Sequence, residues 1–221
     1  MPLTIYTLAT MAARIDQPYS LVTVGLVGHI GINVSIAQGQ VDWHKHIDED
    51  ELFLVHEGGL RVETELGKSL LHPGEFLIVP KGVGHRSSSA LRSTILLLRQ
   101  QILPERKNGY RTYLVTEERE PLAKARLGDL INENSEPYRS VTVAGLEGYQ
   151  LSAFLANGFG PEEEVPTGGT LLYVTQGALG LEFDEGGGTR LDEGQLTILP
   201  PHLAYKLQAA QSTYVVKFEH E

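Results

Sequence analysis

The chain has 221 residues, 41% hydrophobic and 21% charged, a composition that excludes a disordered or fibrous protein and leaves material for one large core or two smaller ones. Twenty-eight acidic against 18 basic residues give a formal net charge of −10, and without a basic cluster this excludes nucleic acid and anionic membrane as partners. There is no cysteine, so disulfides, thiolate–zinc sites, iron–sulfur clusters and thiol nucleophiles are excluded together, and any metal must be held by His, Asp or Glu.

The opening MPLTIYTLATMAARIDQ carries no basic residue ahead of its weakly apolar stretch, and no apolar run approaches ~18 residues. A cytoplasmic protein without a membrane span is the expectation. From residue 18 short apolar bursts follow one another: LVTVGLV (21–27), INVSIA (32–37), ELFLV (51–55), GEFLIVP (74–80) and STILLLR (93–99), separated by Gly, Pro, Asn and Asp. Such spacing predicts short antiparallel strands in a sandwich or barrel rather than alternating β-α units.

Between the second and third bursts lie His44 and His46, two apart in an extended stretch, so both imidazoles share one face while Trp43 and Lys45 take the other. Glu51 opens the next strand after an acidic turn, and Phe53 and Val55 share its parity, predicting that they line a cavity or fill the core. His56 has the opposite parity and is read as a packing residue, and His72 beside Pro73 as turn surface. His85 closes the run Gly74-x5-Pro80-x-Gly82-x2-His85, whose rigid turn can deliver a further donor. Lys81 and Arg86 flank it and are read as solvated cations.

Residues 103–111, LPERKNGYR, read as a polar boundary, and EEREPLAKARLGDLI (117–131) places Leu122, Ala125, Leu127 and Leu130 near helical spacing after Pro121. A short connecting helix is expected there. The strand pattern then resumes with SVTVA, QLSAFLA, LLYVTQ, GLEF, QLTILP and TYVVKF, and it is a repeat. PYSLVTV at 18–24 is answered by PYRSVTV at 137–143, and Gly39, Gly58 and Thr94 by Gly158, Gly177 and Thr213, all 119 positions on; Gly74 and Pro80 recur as Gly194 and Pro200, one residue further. The expected organisation is therefore a first unit at 1–105, a linker with a short helix at 106–134, and a second unit at 135–221.

His44, His46, Glu51 and Gly58, then Gly74, Pro80, Gly82 and His85, resemble the two motifs of the cupin family in register, and the doubled unit resembles a bicupin. Gly39 stands one residue nearer His44 than the family pattern has it, and Ser89 replaces the usual Asn. The resemblance implies two tandem jelly-roll barrels, all β, with His44, His46, Glu51 and His85 as ligands of one divalent transition metal. Iron, manganese, nickel, cobalt and zinc all suit three imidazoles and a carboxylate, leaving about two positions for water or substrate.

At the same offsets His44, His46, Glu51 and His85 become Glu163, Val165, Thr170 and Tyr205. The second barrel is thus expected to be degenerate and metal-free, with Glu162-Glu163-Glu164 as a solvated loop and the barrel as scaffold. Two function classes remain open: a mononuclear metalloenzyme, of dioxygenase or isomerase/lyase type, acting on a small polar molecule, or a bicupin that binds or senses a small ligand without turnover. No separate nucleophile is expected, and a homodimer is compatible with either class.

Overall fold

The computed structural model describes residues 3–101, 108–109, 121–134, 136–184 and 186–221. The boundary expected at 103–111 and the first part of the expected helix fall largely outside these. The chain forms two tandem β-barrels of the jelly-roll type, each built on an eight-stranded antiparallel sheet.

The N-terminal unit comprises the described residues of 11–24 and 30–126. In its sheet, Lys124–Arg126, Glu75–Val79, Glu51–Glu57, His85–Gln100, Ile30–Gln40 and Leu21–Val27 are successive neighbours, while Leu60–Thr64 pairs with both Gly67–Leu71 and His85–Gln100. The register sets Glu51 opposite Arg99, Phe53 opposite Leu97 and Val55 opposite Ile95. Because side chains alternate across a strand, these residues form one inward row. Phe53, Val55, Ile95 and Leu97 pack there with Val62, Leu71, Leu77 and Val79 as a buried core.

The C-terminal unit comprises the described residues of 1–10, 25–29 and 127–221. Its order is Tyr6–Thr7, Gln195–Leu199, Thr170–Gln176, Ala204–His220, Tyr149–Glu164 and Val141–Leu146, with Ala178–Phe183 pairing both Gly188–Asp192 and Ala204–His220. Its core gathers Phe154, Val165, Leu172, Val174, Leu179, Leu207 and Val215. Both units thus depart from contiguous ranges broken at 105 and 135, since the first strand of the chain, Tyr6–Thr7, pairs with Gln195 and Leu196, and Lys124–Arg126 pairs with Glu75–Leu77.

That pairing changes the expected linker helix. Lys124–Arg126 is strand, and the helix runs over Leu127–Glu133, burying Leu127 and Ile131. The ladder to Glu75–Leu77 satisfies the backbone that a helix starting at Pro121 would have used internally. The repeat also reaches further back than the sequence pattern indicated, because a helix at Leu8–Ala12 stands 119 positions before the one at Leu127–Glu133.

Local geometry repeats with it. Tyr19 and Tyr138 both hold positive φ, 61° and 62°, and their hydroxyls donate to the carbonyls of the equivalent glycines, Gly39 for Tyr19 and Gly158 for Tyr138. Gly58 and Gly177 take φ of 84° and 87°, and a Cβ there would lie 2.2 Å from Ser93 Oγ and 2.6 Å from Thr213 Oγ1. Both the conformation and the close approach require glycine, which is why these two survive while the donors do not.

Candidate metal centre

His44, His46, Glu51 and His85 come together as the spacing predicts. Each offers one donor atom, and the four atoms all lie within 4.8 Å of one another. Bonds of ~2.0–2.2 Å set opposite ligands ~4.2 Å apart, so this is close to coordination spacing. Short-range backbone pairing positions the group: His44 and His85 exchange N–H···O bonds at 2.9 and 2.8 Å, and Gly82 N–H donates to the His46 carbonyl at 2.6 Å. Glu51, His46 and His85 are buried, at 3%, 6% and 1% exposure.

The outward nitrogens fix how the rings present themselves. Nδ1 of His44 donates to the Asp42 carbonyl at 2.8 Å and Nδ1 of His85 to the Val83 carbonyl at 3.0 Å; a carbonyl oxygen only accepts, so these nitrogens carry hydrogen. In the neutral ring Nε2 then carries a lone pair. His85 Nε2 stands 3.1 Å from Glu51 Oε2 and His46 Nε2 3.2 Å from Glu51 Oε1, while Glu49, itself buried, approaches His46 Nδ1 at 3.5 Å. Lone pairs held against a carboxylate repel unless a positive charge lies between them, either a proton on the ring or a metal ion. The residues present therefore fit a divalent metal, with outer oxygens that orient the rings as such sites need.

Electrostatics agree with that fit. Burial is the largest influence on Glu51 and raises its pKa, but hydrogen bonds and charge from His46 and His85 together outweigh it and hold the carboxyl well below its usual range. Burial also lowers the His44 pKa, against the Asp42 carbonyl and Glu51, and a neutral imidazole is the form that ligates.

A cavity of about 210 Å³ opens beside the group. Leu21, Ala37, Val41, Phe53, Leu60, Ile95 and Leu97 give it an apolar wall, and its polar lining is Tyr19, Ser35, Ser87, His44, Glu51 and Arg99. Phe53 thus lines the cavity, whereas Val55 fills the core. Arg86 points elsewhere: it pairs with Glu63 and lies 5.1 Å over the Trp43 ring. His72 lies exposed in its turn.

Sequence reasoning missed Arg99, whose Nη1 donates to Glu51 Oε1 at 3.0 Å. Its signal was there, since Arg99 shares the parity of the buried Ile95 and Leu97, but the partner strand lies 48 residues away. It also misjudged Glu163, which belongs to the strand Tyr149–Glu164 rather than a loop. Its carboxylate accepts from Tyr205 at 2.9 Å and pairs with Lys217 at 3.1 Å. Pairing of the strand with Ala204–His220 sets Glu163 opposite Tyr205.

Residues 33–91 match the family model of the cupin domain. A relative from Bacillus subtilis (strain 168), the uncharacterized protein YdbB, is 30% identical over 90 residues, 40% of this chain and 80% of the relative. The chain belongs to the cupin family. Among solved structures, the fold resembles a cupin 2 conserved barrel domain protein from Leptotrichia buccalis, with a TM-score of 0.75 at 10% identity over 100% of this chain and 98% of the other. It also resembles a salicylate 1,2-dioxygenase from Pseudaminobacter salicylatoxidans, with a TM-score of 0.73 at 13% identity over 99% and 84%. Among the described residues no helix is long and apolar enough to cross a membrane.

Proposed function

We propose that the N-terminal barrel is a mononuclear metalloenzyme centre, with His44, His46, Glu51 and His85 as ligands, and that its reaction is of the dioxygenase type on a small molecule held in the adjoining cavity. The observation that carries the metal reading is the set of imidazole Nε2 atoms aimed at the Glu51 carboxylate while the carbonyls of Asp42 and Val83 occupy Nδ1 of His44 and His85. Three imidazoles and one carboxylate leave about two positions of an octahedral metal for exogenous ligands, which a purely structural site normally closes. A redox-active metal bound here would supply dioxygen and substrate activation.

The protein's own residues do the rest. The apolar wall from Leu21 to Leu97 accepts an apolar body, which favours oxidative chemistry over isomerisation of a polyhydroxylated sugar. Glu51, fixed by His46, His85 and Arg99, has no rotational freedom left to shed. Elemental analysis after separate loading with Fe(II), Mn(II), Co(II), Ni(II) and Zn(II) tests the site, with about one metal per chain expected. Oxygen uptake with enolisable diketones, catechols and hydroxy acids, under air and only with a redox metal, tests the reaction. Turnover under nitrogen, including with Zn(II), would replace it by Lewis-acid isomerase or lyase chemistry; tight binding with no turnover would make the barrel a sensor.

A further inference from the structure

Resting on that reading of the centre, we propose that Arg99 is an anion-binding residue of the cavity and that the molecule bound beside the metal is a small monoanion with a carboxylate or enolate head and an apolar body. Arg99 and Glu51 are the charged residues among those lining the cavity, apart from the imidazole of His44. The guanidinium spends Nη1 on Glu51, while its Nε is buried with no hydrogen-bond partner among the described residues. A buried donor without an acceptor is costly, more so on a charged group. The group is a planar fork whose geometry matches a carboxylate.

Charge balance points the same way. The carboxylates of Glu51 and Glu49 face the donor cluster from two sides, and Arg99 stands against Glu51. With a divalent ion on the four donors these groups sum to a net positive charge at a largely buried site beside an apolar wall, where an uncompensated charge is expensive. One negative charge on the ligand neutralises it. The size of the cavity, roughly seven waters' worth at ~30 Å³ each, lies below the ~300–1,000 Å³ of sites for drug-sized ligands. It holds a single ring or a short branched chain, with Phe53, Leu60, Ile95 and Leu97 against the body.

Cyclohexanecarboxylate and cyclohexanecarboxamide, nearly equal in shape and different in charge, are the probes, titrated calorimetrically into the full chain loaded with Zn(II). The carboxylate should bind at least tenfold more tightly. Compared at equal zinc loading, Arg99→Met should remove about ten- to a hundredfold of the carboxylate's affinity, as loss of a charge-assisted hydrogen bond implies, and leave amide binding unchanged. Arg99→Lys, which keeps the charge without the fork, should fall between and serves where Arg99→Met does not fold. Equal affinity of the two probes in the unaltered protein would overturn the proposal. So would an Arg99→Met protein that lowers zinc content while still preferring the carboxylate, since Arg99 would then only hold Glu51. Failure of the unaltered protein to take up zinc would sink the metal reading instead, and Arg99-dependent preference for the carboxylate in that metal-free protein would still support the anion site.

Discussion

Position for position, the two barrels differ most where the first gathers its donors. Glu51 lies opposite Arg99 in the N-terminal sheet, and Thr170 lies opposite Glu219 at the corresponding place in the C-terminal one. Lys217 stands where the first barrel has the cavity-lining Leu97, and its ammonium reaches Glu163 at 3.1 Å and Glu219 at 2.8 Å. Tyr205 donates to Glu163 and Thr170 to Glu219, at 2.9 and 2.8 Å. The second barrel thus sets an ammonium among its carboxylates, where the first sets two imidazoles against Glu51 with Arg99 on the same carboxylate. Burial works against the Lys217 ammonium, but the two carboxylates outweigh it and raise its pKa; burial and then Glu163 raise that of Tyr205. An internal ammonium fills the site permanently, which suits a scaffold, whereas a centre that exchanges ligands requires open positions.

The largest effect should come from breaking the first site. His46→Ala is expected to reduce bound metal to background, while Glu163→Gln leaves it unchanged; elemental analysis of the two purified proteins after dialysis decides. Similar losses in both would mean that the C-terminal cluster also holds metal.

Removing the tethered cation comes next. Lys217→Met leaves Glu163 and Glu219 facing one another, and breaking a buried ion pair from one side costs about 3–5 kcal/mol, here nearer ~2–4 because the Glu163 side chain is 29% exposed. Urea denaturation followed by Tyr fluorescence should show an earlier transition, and adding Glu163→Gln should recover part of it. A midpoint within error of the unaltered protein would show that the cluster is solvated rather than structural.

Acid and alkali should separate the two barrels. His44 has a folded pKa below its unfolded value of ~6.5, so its contribution is lost as pH falls below ~6.5 and on through the folded value, and protons then compete with metal. Lys217 has a folded pKa above its unfolded ~10.4, so its contribution is complete below ~10.4 and lost only as pH rises through the folded value. Metal release to a chelator should therefore rise below pH ~6.5 while far-ultraviolet circular dichroism of the C-terminal barrel holds to pH ~10. Metal retained through prolonged dialysis at pH ~4 would contradict the neutral-imidazole site.

The smallest effect concerns the added edge strands. Glu75 bonds Lys124 at 2.7 Å and Arg126 at 3.2 Å, whereas its counterpart Gln195 donates to Thr7 at 3.1 Å. Burial raises the Glu75 pKa, but Lys124, the His72 N–H and Arg126 bring it below the usual range, so this tether is present above pH ~4.3 and lost as pH falls through the folded value. Because both basic partners are well exposed, Glu75→Gln should cost only ~0.5–1 kcal/mol, seen as faster amide exchange at 124–126 at neutral pH. Unchanged exchange there would show that the backbone ladder alone holds the strand.

What the sequence determined by itself was whatever depends on local spacing. The two-residue period put His44 and His46 on one face and Phe53 behind Glu51. Glycines at 58, 74, 82 and 177 marked turns that only a residue tolerating positive φ can make, and the 119-residue offset exposed both the duplication and the loss of donors in the second copy. Tertiary structure decided whatever depends on which strands become neighbours. Arg99 reaches Glu51 across 48 residues, Glu163 meets Lys217 across 54, and Lys124–Arg126 is strand because the Glu75 edge offers it a ladder. A charge in an alternating strand reveals its parity but not its partner, because sheet register is fixed by packing between segments far apart in the chain.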